Sequence, residues 1–187
     1  MTSNEPTTTE KTVTISKGAI INEAKRIFED CLHTSKSHFV TASYWDNFHL
    51  KIGIPTVILA GIAGTLAFAA FSYHDTLAGI FSMIIVVLTA VTTFLNPKER
   101  AIAHLTAGNN YASIVGKIRI FWTIECWEET PEKLLADKLK EFSDWRDKLN
   151  HDCPQPPQWA YRVAKKGIEE GEAEYMVDKK PPSKSEE

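Results

Sequence analysis

Residues 52–95 form a run of 44 residues with a single charge, Asp75. The run divides at Tyr73-His74-Asp75 into two apolar lengths, 52–73 with 22 residues and 76–95 with 20. A helix rises about 1.5 Å per residue, so each length is roughly 30 Å long, the thickness of a bilayer's hydrocarbon core. These lengths predict a two-helix transmembrane hairpin. A hairpin buried in a soluble core fits less well, because core helices are shorter and carry a polar face.

The rest of the chain must then form a polar unit beside that hairpin. Of 187 residues, about 140 lie outside the apolar run, enough for one compact helical unit. The net charge is −3, which lacks the basic footprint of a nucleic-acid binder. The three cysteines, Cys31, Cys126 and Cys153, show no CxxC spacing, so neither a disulfide framework nor a zinc site is expected. The Thr-rich start has no apolar run behind a basic segment and is not a secretory signal. The first apolar length is expected to act as an uncleaved anchor. Lys51, Lys98 and Arg100 flank the hairpin, and its tip carries no Lys or Arg. The positive-inside rule then puts both termini of a multi-pass membrane protein in the cytoplasm and His74-Asp75 outside.

Residues 1–16 read as a disordered tail. From residue 17, Ile21, Ala24, Phe28, Cys31, Ser35, His38, Ala42, Trp45, His49 and Ile52 recur at steps of three and four. They mark a seam down one helical face. No proline interrupts this helix before Pro55, which is placed to bend the entry to the membrane. Tyr44, Trp45 and Phe48 sit where interfacial anchors do. Asn96-Pro97-Lys98-Glu99 carries a helix-start pattern, with Asn as cap, Pro in the first turn and Glu in the capping-box position. Gly108 and Gly116 weaken the continuity of the helix that follows. Thr130-Pro131 repeats the start signal. Cys153-Pro154-Gln155-Pro156-Pro157 breaks the chain, and Gly167 ends a short last helix. The predicted fold is all-α, a two-helix transmembrane hairpin (helices about 52–73 and 76–95) with long cytoplasmic helices forming a helical bundle (about 17–51, 97–125, 131–150 and 158–166). A charged tail, 168–187, closes the chain.

No HExxH, GxSxG, phosphate-binding loop or GxGxxG is present. His33 and His38 are five apart on a helix, which is poor metal spacing. No catalytic residue, cofactor site or metal site is expected. The membrane lengths carry more information. Gly61, Thr65 and Ser72 fall on one stripe of the first, and Ser82, Thr89 and Thr93 on one stripe of the second. Small and hydroxylated residues let helices approach closely and hydrogen-bond across an interface. Plain helix packing explains them, and so does the lining of a pore. One hairpin cannot enclose a water path, so conduction requires a homo-oligomer. The lack of charge speaks against a constantly open selective channel and suits a pore that stays closed until triggered.

The order of elements resembles a known family. The residues that carry the likeness are the entry Tyr44-Trp45-Asp46-Asn47-Phe48-His49-Leu50-Lys51-Ile52-Gly53-Ile54-Pro55 and the tight hairpin. The exit Leu95-Asn96-Pro97-Lys98-Glu99-Arg100-Ala101, the continuation through 104–111 and the segment 165–175 complete it. Over about residues 18–175 the chain is similar to the SLATT domain, the two-transmembrane effector domain associated with SMODS nucleotidyltransferases and SLOG nucleotide sensors. The domain itself is then 17–167. The resemblance implies a pore-forming effector of the cell inner membrane in an antiviral conflict system, killing or arresting the infected cell. With no nucleotide-sensing domain fused to these helices, it implies a trigger that binds them directly or arrives from a nucleotide second-messenger synthase or sensor partner. The competing expectation is a membrane-anchored interaction module, in which the hairpin only tethers helices that recruit a cytoplasmic partner.

Overall fold

A computed structural model describes residues 16–70 and 72–178. The expected tails at 1–15 and 179–187 lie outside the described residues. Every regular element among the described residues is helical.

Helix α1, Lys17–Ala67, has 51 residues, about 75 Å of continuous helix. Its first turn is closed by Ser16, whose Oγ accepts from the Ala19 amide at 3.3 Å, satisfying a donor the helix cannot. The helix passes through Pro55 without ending, and Thr56 beside it donates its hydroxyl to the Ile52 carbonyl at 2.7 Å. Helix α2 is His74–Leu95, α3 is Pro97–Thr123, α4 is Glu132–Asp152 and α5 is Gln158–Glu169. A 3-10 turn, Glu125–Trp127, joins α3 to α4, and another, Met176–Asp178, follows α5.

Several boundaries differ from expectation. The first apolar helix stops at Ala67, not at 73, and Tyr73 takes a left-handed φ of 71° to start α2. Hydropathy reports where a surface suits lipid, whereas reversing the chain costs residues of backbone, here 68–73. Asn96 does not cap α3 through its side chain. It sits at φ 44° between α2 and α3, and its amide donates to the Glu99 carboxylate. Gly108 and Gly116 do not interrupt α3. Residues 168–178 are no free tail. Lys36 on α1 pairs with Glu172 at 2.8 Å, and the Arg119 guanidinium lies 4.4 Å from the Tyr175 ring.

The core forms where α1, α3 and α4 bring one face each together. Ile20, Ala24, Ile27 and Cys31 of α1 meet Tyr111, Ile114, Ile118 and Phe121 of α3 and Leu135, Phe142 and Leu149 of α4. Each large apolar side chain buried there contributes ~1.5–3 kcal/mol. The Phe121 and Phe142 rings pack edge-on at 5.6 Å. Helix α5 lies along α1 with Ala160 and Ala164 buried.

The apolar lengths are built otherwise. Both are long and apolar enough to cross a membrane. The end of α1 lies against α2, and the less exposed positions there include Ile52, Thr56, Leu59, Ala63 and Leu66 on α1 and Ala78, Phe81, Ile85, Leu88 and Thr92 on α2. All other faces are bare. Helix α2 buries no residue, and Phe68, Met83 and Phe94 are 93%, 67% and 87% exposed.

Candidate functional site

Three layers stack along α1 and its neighbours: the apolar lengths, a collar at their base, and a buried polar layer beneath it. In the apolar lengths, the structure places all six stripe residues, Gly61, Thr65, Ser72, Ser82, Thr89 and Thr93, at the surface. They do not form one feature. Gly61 and Thr65 stand two residues, about half a turn, from Leu59 and Ala63, so they face away from α2. Ser82, Thr89 and Thr93 share a face of α2, about a quarter turn from its contact line. Ser72 lies in the connection and on neither helix. Two of the hydroxyls bond to their own helix, Thr65 to the Gly61 carbonyl at 2.9 Å and Ser82 to Ala78 at 2.8 Å.

In the collar, Tyr44, Trp45 and Phe48 form an aromatic group on α1, with Trp45 edge-on to Phe48 at 5.8 Å. The Arg100 guanidinium lies 5.1 Å from the Trp45 ring centre, a cation over a π face. Lys98 pairs with Asp46 at 2.7 Å. Its hydrogen bond and charge hold the Asp46 carboxyl below the usual range. Both contacts tie the first turns of α3 to α1 as the chain leaves the apolar lengths. An apolar cleft of about 390 Å³ opens beside them, lined by Phe39, Ala42, Ala101, Ile102 and Leu105.

Beneath the collar, the α1–α3 interface is polar. Ser35, Ser37, His38, Thr41 and His104 are all buried. Ser35 Oγ donates to the Gly108 carbonyl at 2.9 Å, and Ser37 and Thr41 donate to carbonyls of their own helix, His33 and Ser37. His38 and His104 meet Nδ1 to Nδ1 at 3.0 Å. One imidazole therefore donates its Nδ1–H and the other accepts on its lone pair. Tyr111 stacks on His38 at 5.6 Å and 18°. Burial, then the neighbouring His104, depresses the His38 pKa to about 4. Burial, then the Arg100 charge, lowers that of His104. Both rings are neutral at pH 7.

The remaining reactive groups are quiet. Burial pushes the Cys31 thiol up to about 12, and burial, then the Glu125 charge, raises Cys126. Both shifts oppose thiolate formation. The Tyr111 hydroxyl donates to Asn150 Oδ1 at 2.7 Å. Among the described residues, no group of three His, Cys, Asp or Glu side chains is placed to hold a metal.

The helical period puts His38 on the α1 seam, but nothing in the sequence joins it to His104. They are 66 residues apart, and only the pairing of α1 with α3 brings them together. The helical period of His38 among apolar and small residues was the one available signal.

Compared with known proteins, the chain matches no family model, no curated protein and no solved structure.

Proposed function

We propose that this chain is a bacterial inner-membrane effector that oligomerises and, on a trigger, permeabilises the membrane in an antiviral or related conflict system. Both termini and the helical unit of α1, α3, α4 and α5 face the cytoplasm, and the apolar lengths cross the bilayer as a hairpin. One observation carries the membrane part of this reading. Two adjoining helical lengths leave most of their apolar side chains exposed, while α1 buries a well-packed core with α3 and α4 further along. A soluble monomer rarely exposes apolar patches beyond a few hundred Å², and lipid removes that penalty. The effector role and its link to a nucleotide-signalling partner rest on the resemblance to the SLATT domain.

Pore formation needs several copies, with Ser82, Thr89 and Thr93 as the favoured lining because they share one exposed face of α2. Expressing the chain in bacteria carrying a voltage-sensitive dye, with and without phage challenge, tests this. Depolarisation supports an effector, and its dependence on phage identifies a trigger. Replacing Thr89 and Thr93 with Leu is expected to abolish depolarisation at unchanged membrane levels. Undiminished depolarisation in that variant removes the stripe from the pore.

A second reading draws on a specific feature. The Thr65 and Ser82 hydroxyls bond to their own helices, which suits a hairpin that only anchors a recruiting module. Replacing 52–95 with an unrelated two-span anchor separates the readings, because retained function favours tethering.

A further inference from the structure

The His38–His104 pair sits where α1 and α3 are clasped, between the helical core and the apolar lengths. From His104 back to Leu95 is nine residues of helix and one turn residue, about 14 Å; from His38 forward to Ile52 is about 21 Å. A separation of the helices at this level therefore reaches the base of the apolar lengths. The rings are 1% and 7% exposed, so water cannot solvate charge placed on them without the helices moving. The bond between them has one proton and one acceptor. A first added proton leaves an N–H and a lone pair facing each other. A second leaves two N–H groups and two positive charges 3.0 Å apart with no acceptor between them.

Among the described residues, no acidic group bears on the pair. From α3, the groups bearing on the pair are Arg100, a cation one turn before His104, and the Tyr111 phenol over His38. From α5, buried Ala160 and Ala164 lie along α1, and the charged contact of the following segment, Lys36 with Glu172, is an already closed pair. From α4, Arg146 pairs with Asp30 about two turns earlier on α1. The remaining polar neighbours, Ser35 and Thr41, have their hydroxyl protons committed to carbonyls.

We propose that His38 and His104 form a proton-operated latch, holding α1 against α3 while neutral and releasing the collar when both rings are protonated. The sign follows from linkage. The ordinary histidine value is 6.5, and His38 in place titrates near 4. The separated state therefore binds protons more readily between those values. The latch is fully closed above about pH 6.5 and is lost as pH falls through about 4. The two rings titrate as a coupled pair, so opening tracks the second proton.

The test uses the full chain in lipid nanodiscs, with spin labels at the exposed Leu50 and Ile102 attached by chemistry that spares the cysteines. Its readout is a distance, so it stands or falls apart from pore formation. Between about pH 7.5 and about pH 4 the Leu50–Ile102 distance is expected to lengthen and to recover on neutralisation. The variant His38→Gln with His104→Gln, which keeps a hydrogen-bonding pair and cannot charge, is expected to hold one distance throughout. A fixed distance in the native chain down to pH 4, or the same lengthening in the double variant, overturns the latch. Nitrogen-15 spectra of the native histidines cover a variant that does not fold. Lengthening that follows loss of the Nδ1 acceptor supports the latch, and lengthening while both rings remain neutral overturns it.

Discussion

At the scale of single residues, two glycines of α3 show how little composition says without contacts. Both lower intrinsic helix propensity by the same amount. A Cβ at Gly108 would stand 2.8 Å from the Phe39 ring, whereas one at Gly116 meets nothing within 4 Å. Gly116→Ala is expected to stabilise the detergent-solubilised protein by ~0.5–1 kcal/mol, mainly by restricting the unfolded chain. Gly108→Ala must displace Phe39 from the α1–α3 contact and is expected to lower stability by ~1–2 kcal/mol. Thermal or urea unfolding followed by circular dichroism reads both. Equal gains from the two substitutions would mean that Phe39 is not held against α3. The same distinction applies to the buried polar layer. His38 in the seam pattern is indistinguishable from any other seam residue until α3 supplies a second imidazole.

At the scale of elements, the all-helical character and two long apolar helices were legible because both depend on local pattern and length. The polar part of α1 was legible too. Half of the expected seam, Ala24, Cys31, Ser35, His38 and Ala42, is buried, whereas Ile21 and Phe28 are only partly so and Ile20 and Ile27 enter the core beside them. What was not legible were features set by partners or by backbone reversal. The end of α1 at Ala67 lies within an unbroken apolar run, with no glycine or proline to mark it. The docking of 168–178 depends on Lys36 and Arg119, distant in sequence. The stripes divided for a related reason. A helical period locates residues on one helix and says nothing of where its neighbour lies. Packing of α3 against α4 provides the element-scale prediction. Phe121 is fully buried against Phe142, and Phe121→Ala is expected to cost ~3–5 kcal/mol, transfer plus cavity. A loss below ~1 kcal/mol would show that α4 is not seated on α3 in solution.

At the scale of the molecule, the two apolar lengths are unequal. The portion of α1 from residue 52 to 67 spans ~24 Å, and the 22 residues of α2 span ~33 Å. Side by side in one bilayer, the longer helix tilts or the bilayer thins locally, at a cost of a fraction of a kcal/mol per ångström. On the proposed topology the exposed Tyr73 lies at the outer headgroups, where an aromatic side chain with a polar tip is favoured. Impermeant maleimide labelling of intact cells tests this placement. The native Cys31, Cys126 and Cys153 are first replaced, and single cysteines are introduced at Asp75, Val86 and Ile102. On the proposed topology, Asp75→Cys is labelled in intact cells, Ile102→Cys only after permeabilisation, and Val86→Cys in neither state. The reverse pattern at Asp75 and Ile102 puts the termini outside and removes the cytoplasmic placement of the latch. Rapid labelling of Val86→Cys alongside Asp75→Cys would put the middle of α2 in water. In that case the bare apolar faces must be covered by protein, and the membrane reading falls with the pore.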